Sequence, residues 1–274
     1  MQRKLKIRLS SILFWIAIIV FVGNVLGILF TVILNSFSTE WYAQLLPAGF
    51  TLKWYSYIAE EISIGPILRN TFFVALTVVL VAIAIAFPAA YVLSRHEFRG
   101  KGLLLTLFLL PMIVPPMTYG IPLAIMMYAT HLAGRLIGVI LSNLVPIVPF
   151  VILILMPFIE QVGVNLESAA KMLGAKRSTI FLKVLIPLTL PGILTAAVLA
   201  VVRTIALFEL TYLVAGGPSS QTIVVALYGA ANAAGARPPQ GIDGIAFIYF
   251  LITMALMAIA LSFVSPTQMV FKIK

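Results

Sequence analysis

The chain has 274 residues, of which 62% are hydrophobic and 9% are charged, and its net charge is +10. A water-soluble domain of this size could not bury so much apolar surface, so the lipid bilayer must serve as its solvent. The absence of cysteine excludes disulfides and thiolate metal sites, and a nucleic-acid partner is disfavoured because the basic residues fall in short clusters between apolar runs.

Long apolar runs predict the membrane-spanning helices. A helix needs about 20 mostly apolar residues to cross the hydrocarbon core of a bilayer. Six such stretches occur, at residues 11–34, 68–93, 103–128, 136–158, 190–214 and 245–264. The first is longer than the apolar core of a signal peptide and lacks a small-residue cleavage site, so we expect it to be retained. The sequence thus predicts an all-α, polytopic protein with one membrane domain over residues 1–274.

The distribution of Lys and Arg predicts the orientation, because basic residues near span ends accumulate on the cytoplasmic side. One set of alternate loops carries only Lys53, Arg69, Arg135 and Arg237. The other set carries Arg3, Lys4, Lys6, Arg8, Arg95, Arg99, Lys101, Lys171, Lys176, Arg177, Lys183, Lys272 and Lys274. Both termini are therefore predicted to be cytoplasmic. Two segments are expected to lie on the external side of the membrane, residues 35–65 and 216–244. The aromatic residues of the first are expected to rest at the level of the lipid headgroups.

The predicted cytoplasmic loop 160–188 reads as a short helix, a bend and an amphipathic helix. Asn165 is expected to cap the first helix, whose first turn carries Glu167 where a negative charge complements exposed amides. Gly174 is expected to end that helix, and Pro187 to close the turn into the fifth span. The second helix has an apolar face consisting of Ile180, Phe181, Val184 and Leu185, and a basic face with Lys176 and Lys183.

Two interpretations of this loop are equally compatible with its physical chemistry. The apolar face of the second helix has no evident mate within the chain, and a basic flank lies beside it, which suits docking into a groove of another protein. Basic amphipathic helices also often lie on a lipid surface.

The spacing in this loop resembles the EAA loop of binding-protein-dependent ABC importer permeases. That pattern is Glu-Ala-Ala, three residues, Gly, nine residues, Ile, one residue, Leu-Pro. The corresponding positions here hold Ala169-Ala170, Gly174, Val184, Ile186 and Pro187. Ser168 takes the slot of the family Glu, and Glu167 stands one residue earlier, from where its carboxylate could reach the usual contact.

Other segments are similar to the smaller permease of spermidine/putrescine importers and of related phosphonate and iron importers. These segments are Phe50-Thr51-Leu52-Lys53-Trp54-Tyr55, Arg69-Asn70-Thr71, Phe98-Arg99-Gly100-Lys101 and Leu110-Pro111-Met112-Ile113-Val114-Pro115-Pro116. Maltose-type sugar permeases share the fold and the loop but fit the proline-rich third span less well. The resemblance therefore implies a small polar organic solute such as a polyamine or a phosphonate, with a sugar as the alternative.

The resemblance also implies a fold, a set of coupling residues and partners. The fold would be that of a type I ABC importer permease in a bacterial inner membrane, alternating between inward-open and outward-open states. The coupling residues would be Glu167, Ser168, Ala169, Ala170, Gly174, Phe181 and Pro187. No Gly-x4-Gly-Lys-Ser/Thr phosphate loop is present, so ATP and Mg would be bound by separate ATPase subunits and not by this non-catalytic chain. Two such subunits, a second permease, expected to be a paralogue, and an extracytoplasmic solute-binding protein would complete the assembly.

Polar residues within the spans are candidates for the solute pathway, because a charge in a span usually faces a polar cavity or a partner helix. Arg203 and Glu209 fall inside the fifth span, and Glu209 is the acidic residue available to pair with Arg203. Tyr212 and Asn143 are further candidates, although isolated polar residues in spans often bond between helices. The spans show neither the polar ring of a channel nor the convergent ionisable groups of a membrane enzyme.

Overall fold

The computed structural model describes residues 2–42, 44–233 and 237–263. Regular structure in this part of the chain is helical, apart from an isolated antiparallel bridge between Ser38 and Phe50. The helices are α1 (Gln2–Phe37), α2 (Lys53–Glu60), α3 (Ile64–Arg95), α4 (Lys101–Ile113), α5 (Pro116–Ala129), α6 (Leu136–Gln161), α7 (Val164–Met172), α8 (Arg177–Ile180), a π-helical turn (Phe181–Leu185), α9 (Ile186–Leu188), α10 (Leu190–Ala206), α11 (Glu209–Val214), α12 (Ile223–Asn232) and α13 (Pro239–Phe263).

One compact unit falls within residues 1–63 and 229–250. The C-terminal end of α1 is tied to α13 by a hydrogen bond of 2.6 Å from Asn35 Nδ2 to Asp243 Oδ2. It is tied to α2 by the hydroxyls of Ser36 and Tyr55, which are 3.0 Å apart. These contacts give hydrogen-bond partners to polar side chains whose burial without a partner would cost free energy.

The second unit, within residues 64–228 and 251–274, has α3 packed against α6 at its centre. Both helices bury a stripe of residues four positions apart, the spacing that keeps side chains on one helix face. The stripe of α3 is Val74, Val78, Ala82, Ala86 and Ala90, and that of α6 is Val139, Asn143, Ile147, Val151, Leu155 and Ile159. Small alanines on one helix let the bulkier aliphatic residues of the other approach closely, as in membrane helix pairs.

The described residues contain four long apolar helices and two bent helix pairs, Lys101–Ile113 with Pro116–Ala129 and Arg177–Leu188 with Leu190–Ala206, so the second pair covers the predicted fifth span only in part. The four are Ser11–Phe37 of α1, then α3, α6 and Pro239–Ile259 of α13, and counting each bent pair as one span brings the number to six. The predicted sixth span begins earlier than residue 245, at Pro239, so Asp243 also lies in a helix of a span.

The third and fifth predicted spans are not single helices. The third is α4 followed by α5, which meet at an angle of 93° where Val114 and Pro115 are extended. Pro115 and Pro116 cause the break, because proline disfavours a helical residue before it and cannot donate a backbone hydrogen bond. The fifth is interrupted after Ala206, and a new helix starts at Glu209.

A few sequence predictions fall outside the described residues. These are Val264 at the end of the sixth span, the basic residues Lys272 and Lys274, and residues 234–236 of the second external segment.

Candidate functional site

Helix α7 begins the loop 160–188 and does not use the cap predicted for it. The residue before the first turn is Gly163, in an extended conformation, and no side chain caps the helix. Asn165 lies inside the first turn and is exposed. The predicted Asn165 cap is therefore wrong by two positions, because the chain enters the helix directly from the end of α6.

Glu167 lies in the first turn of α7 as predicted, but its side chain faces the rest of the chain. Its Oε1 is 2.8 Å from Arg95 Nε and its Oε2 accepts a hydrogen bond of 2.8 Å from the Tyr91 hydroxyl. Arg95 also donates from Nη2 to the Val162 carbonyl at 2.6 Å. The Arg95 and Glu167 side chains are 9% and 8% exposed, so this pair joins the end of α3 to α7 inside the protein.

A left-handed turn at Gly174 ends α7 and leaves two large apolar side chains exposed. The φ angle of Gly174 is +79°, a conformation that glycine adopts without strain. Just before it, Met172 is 84% exposed and Leu173 is 89% exposed. We call Met172 and Leu173 the loop tip. Ser168 and Ala169 lie exposed on the same helix, and Ala170 is half-buried.

The apolar face predicted for the second helix exists but is directed inward. Ile180 and Leu185 are buried, and the Phe181 ring packs edge-on against Phe87 and Tyr91 of α3, with centroids 5.1 and 5.8 Å apart. Lys176 and Lys183 are exposed. The expectation that this face lacks a mate within the chain is therefore wrong, and the most exposed apolar side chains of the loop are those of Met172 and Leu173.

The chain turns into the fifth predicted span two residues after Pro187. The segment Arg177–Leu188 and helix α10 meet at 69°. Thr189, at the bend, is buried and donates its hydroxyl to the Leu185 carbonyl at 2.7 Å.

A second group of candidate residues surrounds the break between α10 and α11. Three rings, Phe208, Tyr212 and Tyr228, contact one another with centroids 4.8 to 5.2 Å apart. Both tyrosines are partly exposed. We call these three residues the aromatic cluster. Glu209 directly follows Phe208 in the chain, as the first residue of α11, and is half-buried.

Arg203 and Glu209 do not pair with each other among the described residues. The Arg203 guanidinium instead lies over the Phe150 ring, 4.6 Å from its centroid. Such a cation–π contact supports a cation in a poorly hydrated setting. Helix α5 packs against α11, and both Arg203 and Glu209 are half-buried.

Asn143 is placed differently from the other pathway candidates. It is fully buried in α6, and its Nδ2 lies 3.2 Å from Thr211 Oγ1 of α11. This contact links two helices and leaves no surface for a solute. Within the described residues no group of three His, Cys, Asp or Glu is arranged to hold a metal ion.

The sequence matches a family model described as "Binding-protein-dependent transport system inner membrane component" over residues 82–267. Loop 160–188 and the helix break both lie inside this match.

Individual relatives and a solved structure agree with this match. The molybdenum transport system permease protein ModB of Haemophilus influenzae is 28% identical, over 69% of this chain and 87% of its own. The trehalose transport system permease protein SugB of Mycobacterium tuberculosis is 33% identical, over 62% of each chain. The fold is similar to that of a bacterial ABC transporter involved in the import of the acidic polysaccharide alginate, with a TM-score of 0.77, 18% identity and coverage of 93% of this chain and 96% of that one.

Proposed function

This chain belongs to the family of inner membrane components of binding-protein-dependent transport systems, and on that premise we propose that it couples solute passage to a separate ATPase through its loop tip. It is a permease subunit of an ABC importer. In our proposal it is one membrane domain that forms half of the solute pathway by alternating access. Both of its termini and the loop 160–188 are cytoplasmic, and we assign the chain to the spermidine/putrescine-type subgroup.

The exposure of Met172 and Leu173 carries the proposal. Two adjacent large apolar side chains at the end of a short helix are costly in water, and such a patch commonly marks a contact with another protein. The buried pair of Arg95 and Glu167 holds α7 against α3. Because Glu167 is engaged there, we assign it to positioning the loop, while Ser168, Ala169 and the tip supply the docking surface. ATP and Mg are then bound by the partner ATPase.

Cysteine cross-linking tests the docking, since the chain has no native cysteine. We expect Leu173→Cys to cross-link to a cysteine placed in the groove of the co-purified ATPase and to resist labelling from outside intact cells. Lys183→Cys, in the same loop but beyond the tip, is the matched control and should cross-link poorly. Labelling of the Leu173→Cys variant from outside, or equal cross-linking of both variants, would contradict the proposal.

We further propose that the solute contacts the aromatic cluster and Glu209. Three clustered rings, one of them followed in the chain by the Glu209 carboxylate, suit an organic cation, since the faces of aromatic rings and a negative charge both attract it. The Arg203 charge is engaged by Phe150, whereas Glu209 has no ion-pair partner among the described residues. A polyamine-like solute is therefore our first candidate.

Substituting Glu209 tests this assignment. Glu209→Gln keeps the shape of the side chain but removes its charge, and we expect uptake of a polyamine to fall about tenfold or more, the effect of losing one charged contact. Arg203→Gln should leave polyamine uptake near the wild-type rate. The measurement is uptake of radiolabelled putrescine and spermidine by vesicles containing the full transporter.

A sugar is the second candidate solute, because aromatic rings also stack on sugars and one relative is named for trehalose transport. In that case Tyr212→Ala should abolish uptake of a disaccharide, while Glu209→Gln, which removes only a charge, should leave that uptake near the wild-type rate. If Arg203→Gln alone stops transport, an anionic solute such as a phosphonate is indicated instead.

A further inference from the structure

A cavity of about 510 Å³ lies beside the loop 160–188, and its lining includes neither the loop tip nor the aromatic cluster. It is lined by the C-terminal end of α3, by α7, and by the stretch from α8 through the π-helical turn. Its wall combines basic side chains, His96, Lys171 and Arg177, with apolar ones, Phe181, Leu182 and Leu185.

The charges on this wall are unbalanced. Glu167 is also part of the wall, but its two oxygens are occupied by Arg95 and Tyr91. In the described ranges, neither Lys171 nor Arg177 forms an ion pair, and nearby Glu97 is 2.6 Å from Lys101. The cavity thus offers two unpaired cations and one imidazole to an anion.

Helix α7 lines the cavity with Glu167 and Lys171, and the proposed docking residues are not part of the lining. Lys171 follows Glu167 by four positions, so both share the helix face directed toward α3. Met172 and Leu173 lie beyond that face, at the exposed turn. The cavity is therefore adjacent to the end of the long apolar helix α3, at the level where a span leaves the bilayer.

The apolar part of the wall reaches the outside at Leu182, which is 60% exposed. A ligand with a charged head and a hydrocarbon tail would place its head near Lys171 and Arg177 and its tail along Leu182 and Phe181. Basic pockets at the cytoplasmic ends of spans bind anionic headgroups in this way.

We propose that this cavity binds an anionic phospholipid of the inner leaflet, with the phosphate group on Lys171 and Arg177 and an acyl chain on Phe181, Leu182 and Leu185. The assignment of the cavity to the cytoplasmic side rests on the proposed function, whereas its lining residues are given by the structure. A lipid bound there would lie under α7 and support the loop from its membrane side.

Lipid retention by the assembled transporter tests the proposal. The complex, reconstituted with cardiolipin and phosphatidylglycerol, is extracted in mild detergent, and bound lipid is counted by native mass spectrometry. We expect the double variant Lys171→Gln, Arg177→Gln to reduce affinity for cardiolipin about thirtyfold, the factor expected for the loss of two interfacial cations. The double variant Lys176→Gln, Lys183→Gln removes the same charge from the same loop outside the cavity and should retain lipid like the wild type. Excess inorganic phosphate should not displace the lipid.

Three outcomes would overturn the proposal. Equal lipid retention in both double variants would exclude the cavity as the lipid site. Displacement by inorganic phosphate would indicate a site for free anions. Loss of the ATPase from the Lys171→Gln, Arg177→Gln complex, with lipid retained, would assign the cavity to the ATPase. If that double variant does not assemble, the single substitutions decide in the same assay. The docking proposal and the lipid site can fail separately. If Leu173→Cys does not cross-link with the ATPase but lipid retention still depends on Lys171 and Arg177, the docking proposal is rejected and the lipid site is not.

Discussion

The Gly174→Asp variant is expected to insert and assemble like the wild type but to lose most solute-stimulated ATP hydrolysis. Gly174 has φ of +79°, and a side chain added there would meet no atom within 4 Å. The effect therefore comes from the backbone, since a left-handed conformation costs a residue with a Cβ about 1 to 2 kcal/mol. Relaxation of that strain would redirect Leu173, and the new charge would face the ATPase. We expect stimulated ATPase activity to fall about tenfold or more in reconstituted vesicles.

Two further substitutions separate the backbone angle from the charge. Gly163 is at the other end of α7 and has an ordinary φ of −61° with open space around it. Gly163→Asp adds the same charge without strain, at a helix start where aspartate is favoured, and should keep activity. Asparagine tolerates the left-handed region, so the stimulated ATPase activity of Gly174→Asn should lie between those of Gly174→Asp and Gly163→Asp. Wild-type coupling in Gly174→Asp would show that the loop tip does not need this turn.

Most of the membrane architecture could be predicted from sequence because apolar length is a direct requirement of the bilayer. Helices α3 and α6 extend only a few residues beyond the predicted spans. The breaks could not be predicted from proline alone. Helix α6 contains Pro146, Pro149 and Pro157 and remains continuous, whereas the chain turns by 93° before Pro116. Whether a proline bends or ends a helix depends on what packs around the freed carbonyl.

The loop shows where local sequence stops being informative. The Gly174 turn was predicted correctly because the backbone conformation depends on the residue itself. The direction of the Phe181 face depends on Phe87 and Tyr91 of α3, almost a hundred residues earlier. The same holds for Glu167, whose partner Arg95 lies far away in the chain. The loop tip was missed because Met172 and Leu173 complete an apolar pattern that also suits a buried position.

Arg95→Ala is expected to release α7 from α3 and to abolish coupled transport, the largest loss among the variants considered. Removing one partner of a buried ion pair leaves an uncompensated charge and costs about 3 to 5 kcal/mol. Arg95 also holds the Val162 carbonyl, so the start of α7 loses two contacts at once. We expect spin labels on α3 and at Lys176 to show a broadened distance distribution, and uptake to fall to background.

The Lys101–Glu97 pair is the matched control. It also joins a basic residue to a glutamate, at 2.6 Å, but the Glu97 side chain is 88% exposed. Exposed pairs contribute between about 0 and 1 kcal/mol. Glu97→Gln should therefore leave both uptake and the spin-label distances unchanged. This result would show that the effect of Arg95→Ala comes from breaking a buried ion pair and not from the loss of any one charge.

Replacing both members of the buried pair distinguishes positioning from direct contact with the ATPase. The double variant Arg95→Met, Glu167→Met leaves no unpaired charge, and well-packed apolar replacements of buried ion pairs are often neutral. If Glu167 acts only by positioning α7, this variant should regain a narrow distance distribution and a large part of the uptake lost in Arg95→Ala. If the Glu167 carboxylate itself binds the ATPase, the distances should recover while ATPase stimulation does not. A double variant as disordered as Arg95→Ala would mean that the hydrogen bonds to Tyr91 and Val162, which methionine cannot replace, hold the loop in place.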